Sequence, residues 1–455
     1  MKGAGRVTVQ GLGHFGGGAG VARFLAREGW QVTVTDLQTK EELRDSLASL
    51  AGIDVRLVLG EHDEGDFTDT DLVVANPAVG PDNKYLAAAR SAGVRVASEV
   101  GLFLERAPGS VVAVTGTQGK SSTTHFLYQL LVDAKLPARI GGNIGGSLLD
   151  ELHMMTAEET CVVELSSYQL EGLADEVTGT PLDLAIITNL REDHLERHGT
   201  VEAYHAAKLG IAQLLSEGAP LLMGAGLIDR AHSLAPEDTE RVELYEAGAH
   251  LRVEAESFSL RSEVLGDVTN AQHLPEFQRE NLLLALGAAR LLGAPASLLS
   301  ASISTLSGLS HRLEDLGELS GRHVYDNGVS TTPDSTEAAL DALPVGLTLL
   351  AGGQAKALPI DGLVRAAKQR ARQVVLFGSC AKEWAHAFRE AGSKCEVAET
   401  VADAVEVAWS LTELDDAILF SPAAASFDQY KNFRERAMDF QRCVTARADV
   451  SAPTS

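Results

Sequence analysis

Gly116, Thr117, Gln118, Gly119, Lys120, Ser121 and Ser122 form the stretch of this sequence best suited to chemistry. Glycines let a main chain close on phosphate oxygens, Lys120 supplies a cation for the β- and γ-phosphates, and the Ser121 hydroxyl can ligate a magnesium ion. That is the equipment for holding a nucleoside triphosphate. The flanking elements fit. Residues 111–115 are apolar and mostly β-branched, while Phe126, Leu127, Leu130 and Leu131 recur at helical spacing. The turn therefore falls where a strand hands over to a helix N-terminus, whose free N–H groups and dipole face an anion. The strict P-loop pattern asks for a glycine where this chain has Val114, so the turn alone leaves an ordinary strand-to-helix connection open.

Two further apolar runs deliver polar residues at their ends. Residues 161–163 lead into Glu164, and residues 184–187 lead into Thr188, Asn189 and then Glu192, Asp193 and His194. In a doubly wound sheet such strand ends gather at one edge. Glu164 and His194 are then candidate metal ligands beside the phosphate loop. Either residue alone is more simply read as solvated or hydrogen-bonded; their shared position favours the metal reading.

The chain opens with another strand–turn–helix. Residues 7–9 precede Gly11, Leu12, Gly13, His14, Phe15 and Gly16, a helical stretch runs to Glu28, and a second strand ends at Asp36. A GxGxxG turn followed by an acid at the end of the next strand suits NAD or FAD, a mononucleotide or UDP-sugar, or a purely structural turn. Asn76, closing the strand 72–75, faces the same crevice. Residues 218–275 are acidic, irregular and weakly patterned, and no chemistry is assigned to them. Helical periodicity resumes at Asn281, and a third unit starting near His311 and Arg312 again alternates strands with helices.

A length of 455 residues exceeds one core and fits about three domains. The formal charge of -25 excludes a nucleic-acid partner, because no basic stripe exists to displace counterions. An anionic substrate must be held by a few local cations. The four cysteines lack close-paired metal spacing, so reduced thiols are expected. Neither a signal peptide nor a membrane span is visible. A cytoplasmic monomer is expected.

Taken together, these segments resemble the Mur ligase family of peptidoglycan synthesis. The resemblance is carried by TGTQGKSS at 115–122, GGNIG at 141–145, ELSSYQLE at 164–171, TNLREDHLERH at 188–198, AYHAAK at 203–208, GLSHRLE at 308–314 and SPAAASFDQYKNFRERA at 421–437. It implies an α/β protein of three tandem domains: a Rossmann-like UDP-binding domain over 1–98, a P-loop-type ATP-binding domain over 99–309, and a Rossmann-like amino-acid domain over 310–455. It further implies an ATP-dependent ligase that adds D-glutamate to UDP-N-acetylmuramoyl-L-alanine through an acyl phosphate.

By the same resemblance, Lys120, Glu164, His194 and Lys208 are catalytic. Ser121, Glu164, His194 and Lys208 hold two magnesium ions, with Lys208 carbamylated. Gly116 to Ser122, Asn281 and Arg312 bind ATP. Gly13, His14, Phe15, Asp36, Asn76 and Asn143 bind the nucleotide-sugar, and Thr331, Lys356, Ser426 and Phe433 bind glutamate. Three departures stand out: the second strand ends Asp36, Leu37, Gln38 where relatives often carry an arginine for the uridine diphosphate, Val329 replaces a lysine of the family's pattern, and of the family's GxHNxxN only Asn281 remains intact at 275–281. A ligase using L-glutamate or another amino acid would keep every ATP residue. An NAD-dependent dehydrogenase would explain Gly11, Gly13, Gly16 and Asp36 but leave the GKS turn idle.

Overall fold

In a computed structural model of the chain, the described residues are 5–13, 17–143, 147–254, 256–272, 274, 278–356 and 358–451, without the side chains of 45 and 449–451. Short β-branched runs build the first sheet: Arg6–Gln10 (β1), Gln31–Asp36 (β2), Val55–Leu59 (β3), Leu72–Ala75 (β4) and Arg95–Ser98 (β5). Leu72 and Val74 join one apolar cluster and Val73 another, so the sheet is packed on both faces, as a parallel sheet requires. All pairings are parallel, in the order β3-β2-β1-β4-β5. The order reverses at β1, which opens a crevice outside the carboxyl ends of β1 and β4.

The second sheet comprises Ser110–Thr115 (β6), Ala138–Gly142 (β7), Thr160–Glu164 (β8), Leu184–Ile187 (β9), Pro220–Met223 (β10) and Glu243–Glu246 (β11). It is parallel throughout, ordered β11-β10-β9-β6-β8-β7. The helices Lys120–Asp133 and Gln278–Leu291 share its core through Phe126, Leu130, Leu282 and Leu286.

The described residues of the weakly patterned region 218–275 form regular elements, which corrects the reading of that region as irregular. It supplies β10 and β11 and then an antiparallel sheet of Leu251–Val253 (β12), Ser257–Leu260 (β13) and Glu263–Asp267 (β14). These strands are three to five residues long, too short to show a period over a reading window.

Partly buried carboxylates fasten the first sheet to the second. Asp150 accepts from Arg23 and Arg27 of the helix Gly17–Arg27. Glu176 accepts from the Ser98 N–H and hydroxyl, and burial raises its carboxyl above the usual range despite those donors. The native state thus binds this proton more tightly than the unfolded chain. The carboxyl's stabilising contribution is full below its unfolded pKa and is lost as pH rises through the folded one. Glu176→Gln, which keeps an acceptor for Ser98, should raise Tm by on the order of 2 °C at pH 7.5 and by less at pH 5. Melting curves at the two values check this; a lower Tm at pH 7.5 would contradict it.

The chain divides into Met1–Ser307 and Gly308–Ser455. The latter holds Glu314–Leu319 (β15), Arg322–Asp326 (β16), Leu347–Gly352 (β17), Ala371–Phe377 (β18), Cys395–Val397 (β19) and Ala417–Ala423 (β20). Their order is β15-β16-β20-β17-β18-β19, with β15 antiparallel to β16 and the remaining pairs parallel. Leu349 and Leu350 face different clusters, so this sheet too is covered on both sides. No helix among the described residues is long and apolar enough to cross a membrane.

Candidate active site

The phosphate loop lies between β6 and the helix starting at Lys120. Gly116 (φ 141°) and Gly119 (φ 79°) take conformations that disfavour a side chain, and a β-carbon would meet the Thr188 hydroxyl at 1.9 Å or the Asn281 amide oxygen at 2.2 Å. The exit of β9 braces this turn. Thr117 N donates to Asn189 O at 2.9 Å, Gln118 N to Asn189 Oδ1 at 2.9 Å, and Arg191 N to Thr117 Oγ1 at 3.0 Å. Lys120 Nζ donates to the carbonyls of Gly116 (3.0 Å) and Thr117 (2.8 Å). Ser121 and Ser122 are buried in the first helical turn. Asn281 stands over the loop, accepting from Thr123 Oγ1 at 3.4 Å.

Glu164 ends β8 beside β6, in register with Val114. It is 1% exposed. Its Oε1 accepts from Asn143 Nδ2 at 2.8 Å, while Oε2 is buried without a hydrogen-bond partner. A buried carboxylate oxygen lacking a donor is costly, and a divalent cation is the partner whose chemistry fits it.

Lys208, from the helix Val201–Leu209, is 1% exposed with Nζ 4.7 Å from the Tyr204 ring centroid. Burial first, and the charge of Lys120 second, lower its pKa to about 6, against the opposing pull of Asp193 and Glu164. It is therefore a neutral amine at physiological pH. Tyr204 connects the helix to the loop, its hydroxyl donating to Thr117 Oγ1 at 3.2 Å.

His194 (φ 49°) follows the β9 exit. Its ring packs edge-on to Tyr168 at 5.2 Å and Tyr204 at 5.9 Å, with Nδ1 3.3 Å from Glu196. The structure thus brings Gly116 to Ser122, Asn143, Glu164, His194, Lys208 and Asn281 to one edge.

At the first sheet, Gly13 and Asn76 meet at the switch point: a β-carbon on Gly13 would lie 3.4 Å from Asn76 Nδ2. Asp36 is buried. Its Oδ2 accepts from Leu12 N (2.8 Å) and Gly13 N (3.4 Å), and its Oδ1 from Gln38 N (2.9 Å). Asp36 shapes the glycine turn, whereas a dinucleotide site presents that acid to a ribose. His14, Phe15, Gly16, Ile144, Gly145 and residues 275–277 lie outside the described residues. Arg197 links this crevice to the phosphate-loop edge: it pairs with Glu171 at 2.7 Å and donates to Val79 O at 3.2 Å.

Arg312, Thr331, Lys356, Ser426 and Phe433 lie in Gly308–Ser455. Lys356 Nζ donates to Thr331 Oγ1 at 3.3 Å, and the mutual Gln354–Ala425 backbone hydrogen bonds place the Lys356 loop beside Ser426. Beneath them lies a residue that sequence reasoning passed over. Arg436 is 1% exposed and donates to the carbonyls of Gly352, Ala424, Ala425, Gly328 and Ser330. Burial lowers its pKa to about 10, so it remains a cation at neutral pH. It draws together the loops carrying Thr331, Lys356 and Ser426. Its only sequence signal was membership of the segment 421–437.

A phosphate loop, a buried carboxylate and a buried neutral lysine, in three α/β domains, define a phosphoryl-dependent ligase architecture, and the chain belongs to the Mur ligase family. Residues 5–98 match the family's MurD-like N-terminal domain, 114–289 its middle domain and 311–424 its glutamate ligase domain. Among similar proteins is the UDP-N-acetylmuramoylalanine--D-glutamate ligase of Roseiflexus sp. (strain RS-1), 36% identical over 96% of this chain and 98% of that protein. The protein of the same name from Geobacter metallireducens is 35% identical over 98% of each. The fold is also that of the UDP-N-acetylmuramate-alanine ligase MurC of Thermotoga maritima, with a TM-score of 0.61, 17% identity, and coverage of 97% of this chain and 100% of that one.

Proposed function

We propose that the protein is a cytoplasmic, monomeric ATP-dependent ligase that joins D-glutamate to UDP-N-acetylmuramoyl-L-alanine in peptidoglycan precursor synthesis. The observation that carries the reading is the convergence of Lys120, Glu164 and the buried neutral Lys208 at one helix N-terminus. The names borne by the similar proteins supply the substrates. The domain assignment is 1–98 for the uridine diphosphate, 99–309 for ATP and 310–455 for the amino acid.

A carboxylate is a poor electrophile. Transfer of the γ-phosphoryl group to an oxygen of the substrate carboxylate releases ADP and gives an acyl phosphate. The glutamate amine then attacks the carbonyl carbon, inorganic phosphate leaves with the C–O bonding pair, and the amine loses a proton as the amide forms. Lys120 offsets charge on the phosphates, the loop N–H groups orient them, and Asn143, fixed by Glu164, positions the muramoyl substrate. Asn281 and Arg312 contact ATP. Ser121, Glu164, His194 and carbamylated Lys208 are the residues that would hold magnesium. When bound, the ions supply charge neutralisation and Lewis acidity.

The amino-acid site must accommodate two carboxylates, each needing a cation or several donors. Lys356, Thr331, Ser426 and the backbone near Phe433 serve, with Arg436 supplying positive potential from below. A lost charge-assisted contact is worth about 1.5 to 3 kcal/mol, roughly ten- to a hundredfold in affinity. Lys356→Ala should raise KM for D-glutamate by that factor, and Val329→Lys should lower it. Initial-rate kinetics against glutamate check both; indifference to Lys356 would overturn this assignment.

The reaction itself is tested by phosphate release with components omitted in turn. Release should require ATP, Mg2+ and the nucleotide-sugar together. An absorbance change with NAD and none of this requirement would favour the dehydrogenase reading.

A further inference from the structure

A second cation stands beside the phosphate loop. Arg191, on the exit of β9 between Asn189 and His194, is exposed, yet its backbone is tied to the loop by several bonds. Arg191 N donates to Thr117 Oγ1 at 3.0 Å, Thr117 Oγ1 donates to Arg191 O at 3.3 Å, and His205 Nε2 donates to the same carbonyl at 3.1 Å. Thr117 Oγ1 also accepts from the Tyr204 hydroxyl at 3.2 Å. The proton and both lone pairs of the Thr117 hydroxyl are thereby engaged. These bonds seat Arg191 between the loop and the helix Val201–Leu209, on the side that carries Lys208.

The guanidinium is turned toward the loop as well. Its Nη1 donates to the side-chain oxygen of Gln118 at 3.2 Å, and among the described residues no carboxylate pairs with it. Asp193, two residues on, is directed at His194 instead, with Oδ1 accepting from His194 N at 2.8 Å. A neutral amide oxygen leaves the charge of Arg191 uncompensated.

In a chain of net charge -25, an unpaired cation beside an anion cradle is a local focus for phosphate. Charge-assisted hydrogen bonds are roughly twice as strong as neutral ones, and the planar guanidinium matches two oxygens of one phosphate group. A phosphate oxygen therefore displaces Gln118 from it. Lys208 cannot supply this second charge, because its amine is neutral at physiological pH.

We propose that Arg191 is a further ATP-binding residue, whose guanidinium passes from Gln118 to the terminal phosphate of the bound nucleotide. Lys120, held by the Gly116 and Thr117 carbonyls, serves the phosphates from within the loop, and Arg191 serves them from outside it. Selection of ATP over ADP follows, since ADP lacks the group that Arg191 takes. This assignment rests on the reading of residues 116–122 as a phosphate loop.

The test is calorimetry of ATP and of ADP, each with Mg2+, on the full-length wild type and Arg191→Ala, together with KM for ATP from phosphate release. The backbone bonds of Arg191 survive the change. Arg191→Ala should weaken ATP binding about tenfold and ADP binding by less than about twofold, with KM for ATP raised in step. Unchanged ATP affinity would overturn the proposal, and so would equal losses for ATP and ADP, which would make Arg191 a brace of the loop. Should Arg191→Ala not fold, Arg191→Gln, which keeps a polar side chain without the charge, is measured with the same expectation. A wild type that binds neither nucleotide would overturn the phosphate-loop reading and the role of Arg191 with it; a wild type that binds ATP no more weakly than the variant would overturn the role of Arg191 alone.

Discussion

Lys120→Ala is expected to reduce turnover by on the order of a thousandfold, as loss of a contact to charge developing in the transition state does. Lys120 belongs to the first turn of the helix Lys120–Asp133, and its ammonium already sits against the Gly116 and Thr117 carbonyls of the loop. A phosphate cradled by that loop comes within its reach without a large rearrangement. Helix N-terminus, glycine turn and ammonium act on the same anion, so removing the one full charge among them should act mainly on kcat. Steady-state phosphate release by a folded Lys120→Ala protein checks this. Activity equal to the wild type would end the phosphate-loop assignment.

Lys208→Ala should be nearly inactive and should recover partly on addition of short carboxylic acids. The side chain is buried, and its pKa of about 6 leaves the amine free to add carbon dioxide, forming an N–C bond and releasing one proton. A neutral amine would thereby give way to an anion beside Glu164, where a second negative ligand suits a divalent metal ion. A cation retained there would instead oppose Lys120, whose charge already disfavours it. Acetate and formate fit the space that the alanine variant vacates. A variant that remains folded and binds ATP, yet is rescued by neither, would remove the support for the carbamate.

The parts of this site that were legible in the sequence are those with local signatures. The strand, glycine turn and helix around Lys120 follow from β-branching, backbone freedom and 3.6-residue spacing, and β9 begins and ends with the apolar run 184–187. Glu164 and His194 were found because polar residues follow apolar runs at the carboxyl ends of parallel strands. Arg436 was not legible for the opposite reason. An arginine on a helix rich in charged residues reads as solvent-facing, and its burial is created by carbonyls more than ten residues away in sequence. Asp36 was legible as an acid at a strand end, but its role was not, because its partners are backbone N–H groups, which every residue but proline has. The strands within 218–275 were missed because their stability comes from pairing with neighbours, which no short window records.

A ligase of D-glutamate must discriminate against the L enantiomer. The measurement is phosphate release with ATP, Mg2+ and UDP-N-acetylmuramoyl-L-alanine, supplied with D-glutamate or with L-glutamate, each product confirmed by mass. Sustained release and a glutamyl adduct are expected with the D enantiomer, and release near background with the L enantiomer. Faster turnover with L-glutamate, or ATP consumption without an adduct from either, would contradict the assignment as a D-glutamate ligase.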